Sequence, residues 1–200
     1  MTKKIILVRH GETDWNKELR IQGGSSNVAL NDVGRQQAEN LALRLSKSKI
    51  REIYSSPLSR ALDTAKIIAS YHKIEVVVEP SLREIEAGAL EGVTTKELGR
   101  RFSDILIKDG LLGRVSGGES LTELQERNWK IIQNLSQKHT AGNMVVVSHY
   151  FAILSIICSV LKLPLSQIGR FKLGTGSISI INFGSHVTQL ELFNDTGYLM

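Results

Sequence analysis

The sequence predicts an α/β fold with a mostly parallel sheet, and three observations predict it. Short apolar or β-branched runs alternate along the chain with segments of helical periodicity. Two of those runs, Lys3 to Val8 and Met144 to Val147, are apolar stretches of the kind buried strands show. The 200 residues, 42% of them hydrophobic, contain no internal repeat and no low-complexity linker. A single core, and so one domain spanning 1–200, is the expectation.

In order, Lys3 to Val8 opens the sheet. Leu30 to Gly34 then starts a helix with Asn31 as its N-cap, and Ala38, Leu41, Ala42 and Leu45 share one face. Arg51 to Ser55 reads as a second strand, followed by a helix over Ser59 to Tyr71. Glu75 to Val78 is a third strand, closed by Pro80. The segment from Ser81 to Gly118 is richer in glycine and charge and predicts short helices and loops. Ser120 with Glu123 forms a capping box for a helix running to about His139. Met144 to Val147 is a strand, Tyr150 to Leu161 a helix that Pro164 stops, and Ser177 to Asn182 with Val187 to Phe193 a terminal hairpin.

Composition narrows the function. After Lys3-Lys4 only four apolar residues precede Arg9, too few for the apolar part of a signal peptide. The longest apolar stretch, Phe151 to Leu161, is broken by Ser155 and Ser159 and reads as a buried helix, so no membrane association is expected. Cys158 is the sole cysteine, which fits a small buried hydrophobe and a cytoplasmic location. The net charge of +5 is scattered, without basic runs or interleaved aromatics. It favours anionic small molecules over nucleic acid. There is no P-loop and no metal-ligand spacing among His, Asp and Cys, so neither nucleotide hydrolysis nor a bound metal or other cofactor is expected.

The predicted elements place chemistry at one edge. His10 and His149 each follow a buried strand directly, and Arg60 sits in the first turn of a helix that follows another. Ligands of open α/β sheets collect at the carboxyl ends of strands, so these residues converge. Phosphoryl transfer through histidine needs a neutral ring nitrogen aimed at phosphorus and cations around the equatorial oxygens. Arg9 and Arg60 offer planar, permanently charged forks, and His149 a further donor if protonated.

Arg9-His10-Gly11-Glu12-Thr13-Asp14-Trp15-Asn16 followed by Arg20-Ile21-Gln22-Gly23 resembles the signature of the histidine phosphatase (phosphoglycerate mutase-like) superfamily. The likeness continues through Tyr54 to Ala61, Thr64-Ala65, Leu82-Arg83-Glu84, Gly88, Glu91-Gly92, Gly117 to Ser120 and Val147-Ser148-His149. The resemblance implies a three-layer sandwich with the sheet between helices. It implies that His10 is phosphorylated and that Arg9, Arg60, His149 and Asn16 bind the phosphoryl group. Gln22 and the Gly23 backbone would lie beside the substrate, and Glu84 would protonate the leaving oxygen and then take a proton from water. Arg83 and Glu119 are read as supporting ion pairs, Trp15 and Trp129 as packing residues, and His72, His139 and His186 as surface residues.

Within that resemblance a metal-independent phosphomonoesterase is the expected activity, of the broad-specificity, phosphoglycerate or α-ribazole phosphatase type. A cofactor-dependent phosphoglycerate mutase and a non-catalytic member that binds phosphorylated partners are the alternatives. The mutases carry a longer middle insertion with an Arg-Arg-Ser-Tyr type segment, where this chain has Arg100-Arg101-Phe102-Ser103. Two departures bear on the substrate. Gly24 to Leu30 has Asn27 and Ala29 where relatives carry Asp and Pro, and Tyr150 stands where relatives have a small residue. Tyr150 is expected to narrow or line the entrance. The expected state is a monomer or a homodimer.

Overall fold

In the computed structural model, which describes residues 3–99, 117–138, 142–184 and 186–199, one sheet organises the chain. Its strands are β1 (Lys3–Arg9), β2 (Ile50–Ser55), β3 (Val76–Val78), β4 (Gly142–Ser148), β5 (Ile178–Phe183) and β6 (Thr188–Asp195), in the order β3-β2-β4-β1-β5-β6. The pairs β3–β2, β2–β4 and β4–β1 are parallel, whereas β5 runs antiparallel to β1 and β6 antiparallel to β5. The predicted hairpin is therefore the antiparallel edge of an otherwise parallel sheet.

Pleating sorts the strand residues onto two cores. Ile6, Val8, Ile53, Val145 and Val147 face α2 (Asp32–Leu45) and α3 (Ser59–His72). Ile5, Leu7, Met144 and Val146 face α5 (Leu121–Lys138) and α6 (Tyr150–Leu161). Both faces of β1 and β4 are covered, which is why their sequences are apolar without alternation. At about 1.5–3 kcal/mol for each fully buried aliphatic side chain, these two layers dominate the favourable side of folding. The predicted three-layer sandwich is what forms.

The remaining elements among the described residues are α1 (Asp14–Lys17), α4 (Thr95–Leu98), 3-10 turns at Pro80–Leu82 and Gly88–Leu90, and a six-residue 3-10 segment at Leu165–Arg170. Most predicted boundaries lie within two residues of those observed. Asn31 caps α2 by accepting from the Gly34 N–H at 2.8 Å. Ser120 and Glu123 exchange their backbone and side-chain bonds at 3.0 and 3.2 Å. α1 was not predicted: Thr13 caps it reciprocally with Asn16, a pairing the usual Glu or Gln signal misses. Arg100-Arg101-Phe102-Ser103 and His139 lie outside the described residues. His186 is exposed and His72 half-buried. No helix among the described residues is long and apolar enough to cross a membrane.

Candidate active site

Register places the site. Arg9 pairs with Ser148 across β1 and β4, and Ser55 with Val147 across β2 and β4, so the three strands end level. His10, His149 and Ser56 are the residues that leave those ends. The His10 N–H donates to the Ser148 carbonyl at 3.1 Å, and the rings of His10 and His149 lie 5.1 Å apart between centroids.

The loop after β1 is held against α2 by contact too close for any side chain. A Cβ on Gly34 would lie 2.0 Å from the Glu12 carbonyl oxygen, and one on Gly11 only 2.3 Å from that of Gly34. Gly11 thus permits close approach, as its position suggests, but the partner is a helix backbone. The Gly11 N–H also donates to Thr64 Oγ1 at 3.2 Å, tying the loop to α3.

His10 is buried, and its Nδ1 lies 2.7 Å from the Gly11 carbonyl oxygen. A carbonyl can only accept, so Nδ1 carries the proton and Nε2 keeps its lone pair. Burial, then the charges of Arg60 and Arg9, hold the imidazole well below the ordinary histidine pKa. His149 is depressed in the same way by burial, then by Arg60, His10 and Arg9, and least by the charge of Arg127. Those shifts favour an uncharged ring at neutral pH, and the donor role expected of its protonated form beside a bound dianion stays an expectation. Its Nε2 lies 2.7 Å from Ser56 Oγ.

Arg60 is fully buried, and its Nη atoms donate to the carbonyls of Ser26 at 2.8 Å and Gly23 at 3.1 Å. Burial draws its pKa down to about 10, with the Glu84 charge opposing, so it stays a cation. Arg9 donates to the Leu173 carbonyl and lies over the Tyr150 ring, 5.1 Å from the centroid. The Tyr150 hydroxyl donates to the Phe171 carbonyl at 2.9 Å. Tyr150 does line the cavity, but one face of its ring is occupied by Arg9.

Glu84 is buried at the start of α6. Its carboxylate accepts from the N–H groups of Ile85 at 2.9 Å and of Phe151 and Ala152, both at 3.1 Å. Burial raises its pKa, and those bonds and Arg60 only partly offset the rise. A buried carboxyl held above its usual range is suited to giving up a proton and taking one back.

Arg9, His10, Arg60, Glu84 and Tyr150 open on one cavity of about 720 Å³, with His149 behind His10 and not among its lining residues. Arg9, His10, Arg60 and Glu84 line its floor together with Asn16 and Gln22. Gly23 is not among the lining residues; its carbonyl sits behind Arg60. Thr13, which the sequence did not single out, is fully buried and lies 3.0 Å from both Asn16 Oδ1 and Gln22 Oε1. Asn27 accepts from the Ser59 N–H at 2.8 Å, capping α3 from the loop that precedes α2. Arg9 Nε, Arg60 Nε, Gln22 Nε2 and His149 Nδ1 are buried nitrogens without a hydrogen-bond partner among the described residues. Each unpaired buried donor costs about 1–3 kcal/mol, so their gathering here marks a place suited to an acceptor-rich anion.

Arg83 pairs with Glu86, and Glu119 with Arg127, as the supporting ion pairs expected of Arg83 and Glu119. Trp129 packs on the core and Trp15 stands beside Gly92. No group of three or more metal-ligating side chains occurs among the described residues.

Comparison with known proteins agrees with this geometry. Phosphoglycerate mutase-like protein 4 of Arabidopsis thaliana is 38% identical over 98% of this chain and 89% of its own length. Phosphoserine phosphatase 1 of Hydrogenobacter thermophilus is 31% identical over 98% of this chain and 94% of its own. The crystal structure of an Entamoeba histolytica phosphoserine phosphatase in complex with 3-phosphoglyceric acid superposes with a TM-score of 0.89 at 33% identity, covering 99% of this chain and all of that one. The sequence profile of the histidine phosphatase superfamily (branch 1) matches residues 5–196, and the chain belongs to that superfamily.

Proposed function

We propose that the chain is a phosphomonoesterase that hydrolyses small-molecule phosphate esters through a phosphohistidine on His10. One observation carries the reading: a histidine with a bare Nε2, fixed by the Nδ1 bond to Gly11, shares a cavity with a buried carboxyl of raised pKa, Glu84.

In the first step the Nε2 lone pair of His10 attacks phosphorus, and the bond to the ester oxygen breaks. The Glu84 carboxylic acid gives its proton to that oxygen, releasing the alcohol. Arg9, Arg60 and the neutral N–H of His149 surround the equatorial oxygens, where negative charge accumulates. In the second step water attacks phosphorus, its proton passes to the Glu84 carboxylate, and the P–N bond breaks. Inorganic phosphate leaves and His10 is again neutral. Asn16 and Gln22, both joined to Thr13, bring further amides to the phosphate end. The cations perform the neutralisation that a metal ion performs elsewhere.

The names of the relatives put phosphoserine and phosphoglycerate first among substrates to try. A screen of metabolite phosphate esters with chelator present, run beside His10→Ala, tests the reading. Chelator-resistant release of phosphate that disappears in the variant supports it. Activity that depends on added metal, or transfer of phosphate between positions of phosphoglycerate exceeding hydrolysis, overturns it.

A further inference from the structure

Arg127 touches no part of the phosphate cage, yet all its N–H groups are engaged. Nε and Nη2 form a fork to Glu119 at 2.6 and 2.8 Å. Nη1 donates to the carbonyls of Ser81 and Arg83, both at 2.8 Å, and Nη2 to that of Glu84 at 3.0 Å. A guanidinium has five N–H donors in fixed directions, and here each has an acceptor.

The acceptors are the point. They are carbonyls of the Pro80–Leu82 3-10 turn and of the two residues after it, Arg83 and Glu84, a stretch whose Leu82 carbonyl is taken by Ser148 Oγ at 2.8 Å. Glu119 fastens the other side: its N–H donates to the Glu86 carbonyl at 2.8 Å, and its carboxylate accepts from the Glu86 N–H at 3.4 Å. Arg127 and Glu119 thus hold the backbone on both sides of Glu84, from a rigid helix and from the segment that precedes it. Both side chains are mostly buried, at 25% and 14% exposure, so the pair is poorly screened by solvent.

We propose that Arg127, braced by Glu119, is the positioning residue for Glu84. The clamp sets the turn so that the Glu84 carboxyl faces the cavity while its oxygens meet the N–H groups at the start of α6. The inference rests on the reading of Glu84 as the acid of the first step. Proton transfer requires the carboxyl within about 2.6–3.2 Å of the leaving oxygen, so a small shift of the turn disables it while leaving His10 and the arginines in place. Lysine, a single point charge, cannot span Glu119 and three carbonyls.

Leaving-group dependence separates this role from a merely structural one. An alkyl phosphate such as glycerol 3-phosphate needs a proton on its leaving oxygen, whereas the nitrophenolate of p-nitrophenyl phosphate departs without one. Arg127→Met should lower kcat/KM for the alkyl ester by about 100-fold and for the aryl ester by less than about 3-fold. Inhibition by inorganic phosphate should stay within about 2-fold of the native value, because the cage is intact. Arg127→Lys should behave like Arg127→Met, and Glu119→Gln should fall between them and the native enzyme. These two milder variants keep the test available if Arg127→Met does not fold. Equal loss for both esters in the variants, or weakened phosphate inhibition matching the lost rate, overturns the proposal. Glu84→Gln is the control: selective loss with the alkyl ester upholds the acid reading, so that a uniform loss in the Arg127 variants then counts against the clamp alone. A uniform loss in Glu84→Gln removes the acid reading and the clamp with it.

Discussion

Ser56 and His149 form a buried pair in which the serine Oγ lies 2.7 Å from the imidazole Nε2. The same oxygen accepts the Leu58 N–H at 3.3 Å, and the serine proton finds its acceptor in Nε2. That leaves the proton of neutral His149 on Nδ1, a buried nitrogen with no partner among the described residues. We infer that Ser56 selects the Nδ1–H tautomer, which leaves the ring a free donor without requiring a charge. Ser56→Ala should lower kcat/KM by about 10-fold, in line with about 1–2 kcal/mol for one misdirected hydrogen bond. Nitrogen-15 NMR of His149 reads the tautomer directly; an Nδ1–H form in the native protein that persists in Ser56→Ala contradicts this role.

Tyr150 supports Arg9 through the face of its ring and anchors itself through its hydroxyl. A partly desolvated cation–π contact contributes about 1–2 kcal/mol. Tyr150→Leu should weaken inhibition by orthovanadate by about 5- to 30-fold, while Tyr150→Phe, which keeps the ring, should change it by less than about 3-fold. Identical inhibition constants in Tyr150→Leu and the native enzyme would show that Arg9 needs no such support.

Gly34 is the tightest backbone contact at the site. Gly34→Ala puts a methyl 2.0 Å from the Glu12 carbonyl oxygen, and neither backbone can yield without moving the His10 loop. Overpacking costs about 1–3 kcal/mol or more, so the melting temperature should fall by roughly 4–10 °C, with activity falling as well. Thermal unfolding checks this; an unchanged melting temperature rules out the close approach.

The pH profile follows from the signs of two shifts. His10 must be neutral to attack, and burial with Arg60 and Arg9 lowers its pKa, so the rate is lost only as pH falls well below the ordinary histidine value. Glu84 must be protonated in the first step, and burial raises its pKa, so that form survives to higher pH than an ordinary carboxyl allows and is lost above it. For an alkyl ester, kcat/KM should be bell-shaped, its acid limb displaced below the ordinary histidine pKa and its alkaline limb above the ordinary carboxylate range. Glu84→Gln should lose the alkaline limb. A limb that persists unchanged in that variant belongs to another group.

How much of this was legible in the sequence depends on what each residue answers to. His10, His149 and Arg60 answer to strand ends, and strand ends are written in apolar runs, so their convergence could be foreseen. Glu84 was placed by its motif; its contact with the start of α6 joins residues 67 and 68 positions apart, which no local pattern encodes. Tyr150 lines the cavity as its place after His149 suggests, but no local pattern shows that Arg9 covers one face of its ring and that Phe171, on a later loop, holds its hydroxyl. Arg127 gave no signal at all. On a helix it reads as one more solvated charge, and its acceptors are carbonyls whose positions exist only once the turn has folded. The short helix after Thr13 escaped because Asn16 replaces the longer side chain expected three residues after a cap.

The central claim is that the phosphoryl group passes through His10. Rapid quenching of the enzyme with a radiolabelled phosphate ester, followed by peptide mapping, tests it most directly. The account predicts one labelled peptide containing His10, stable in alkali, labile in acid, and absent from His10→Ala. Label on any other residue, or full hydrolytic activity in His10→Ala, would contradict it.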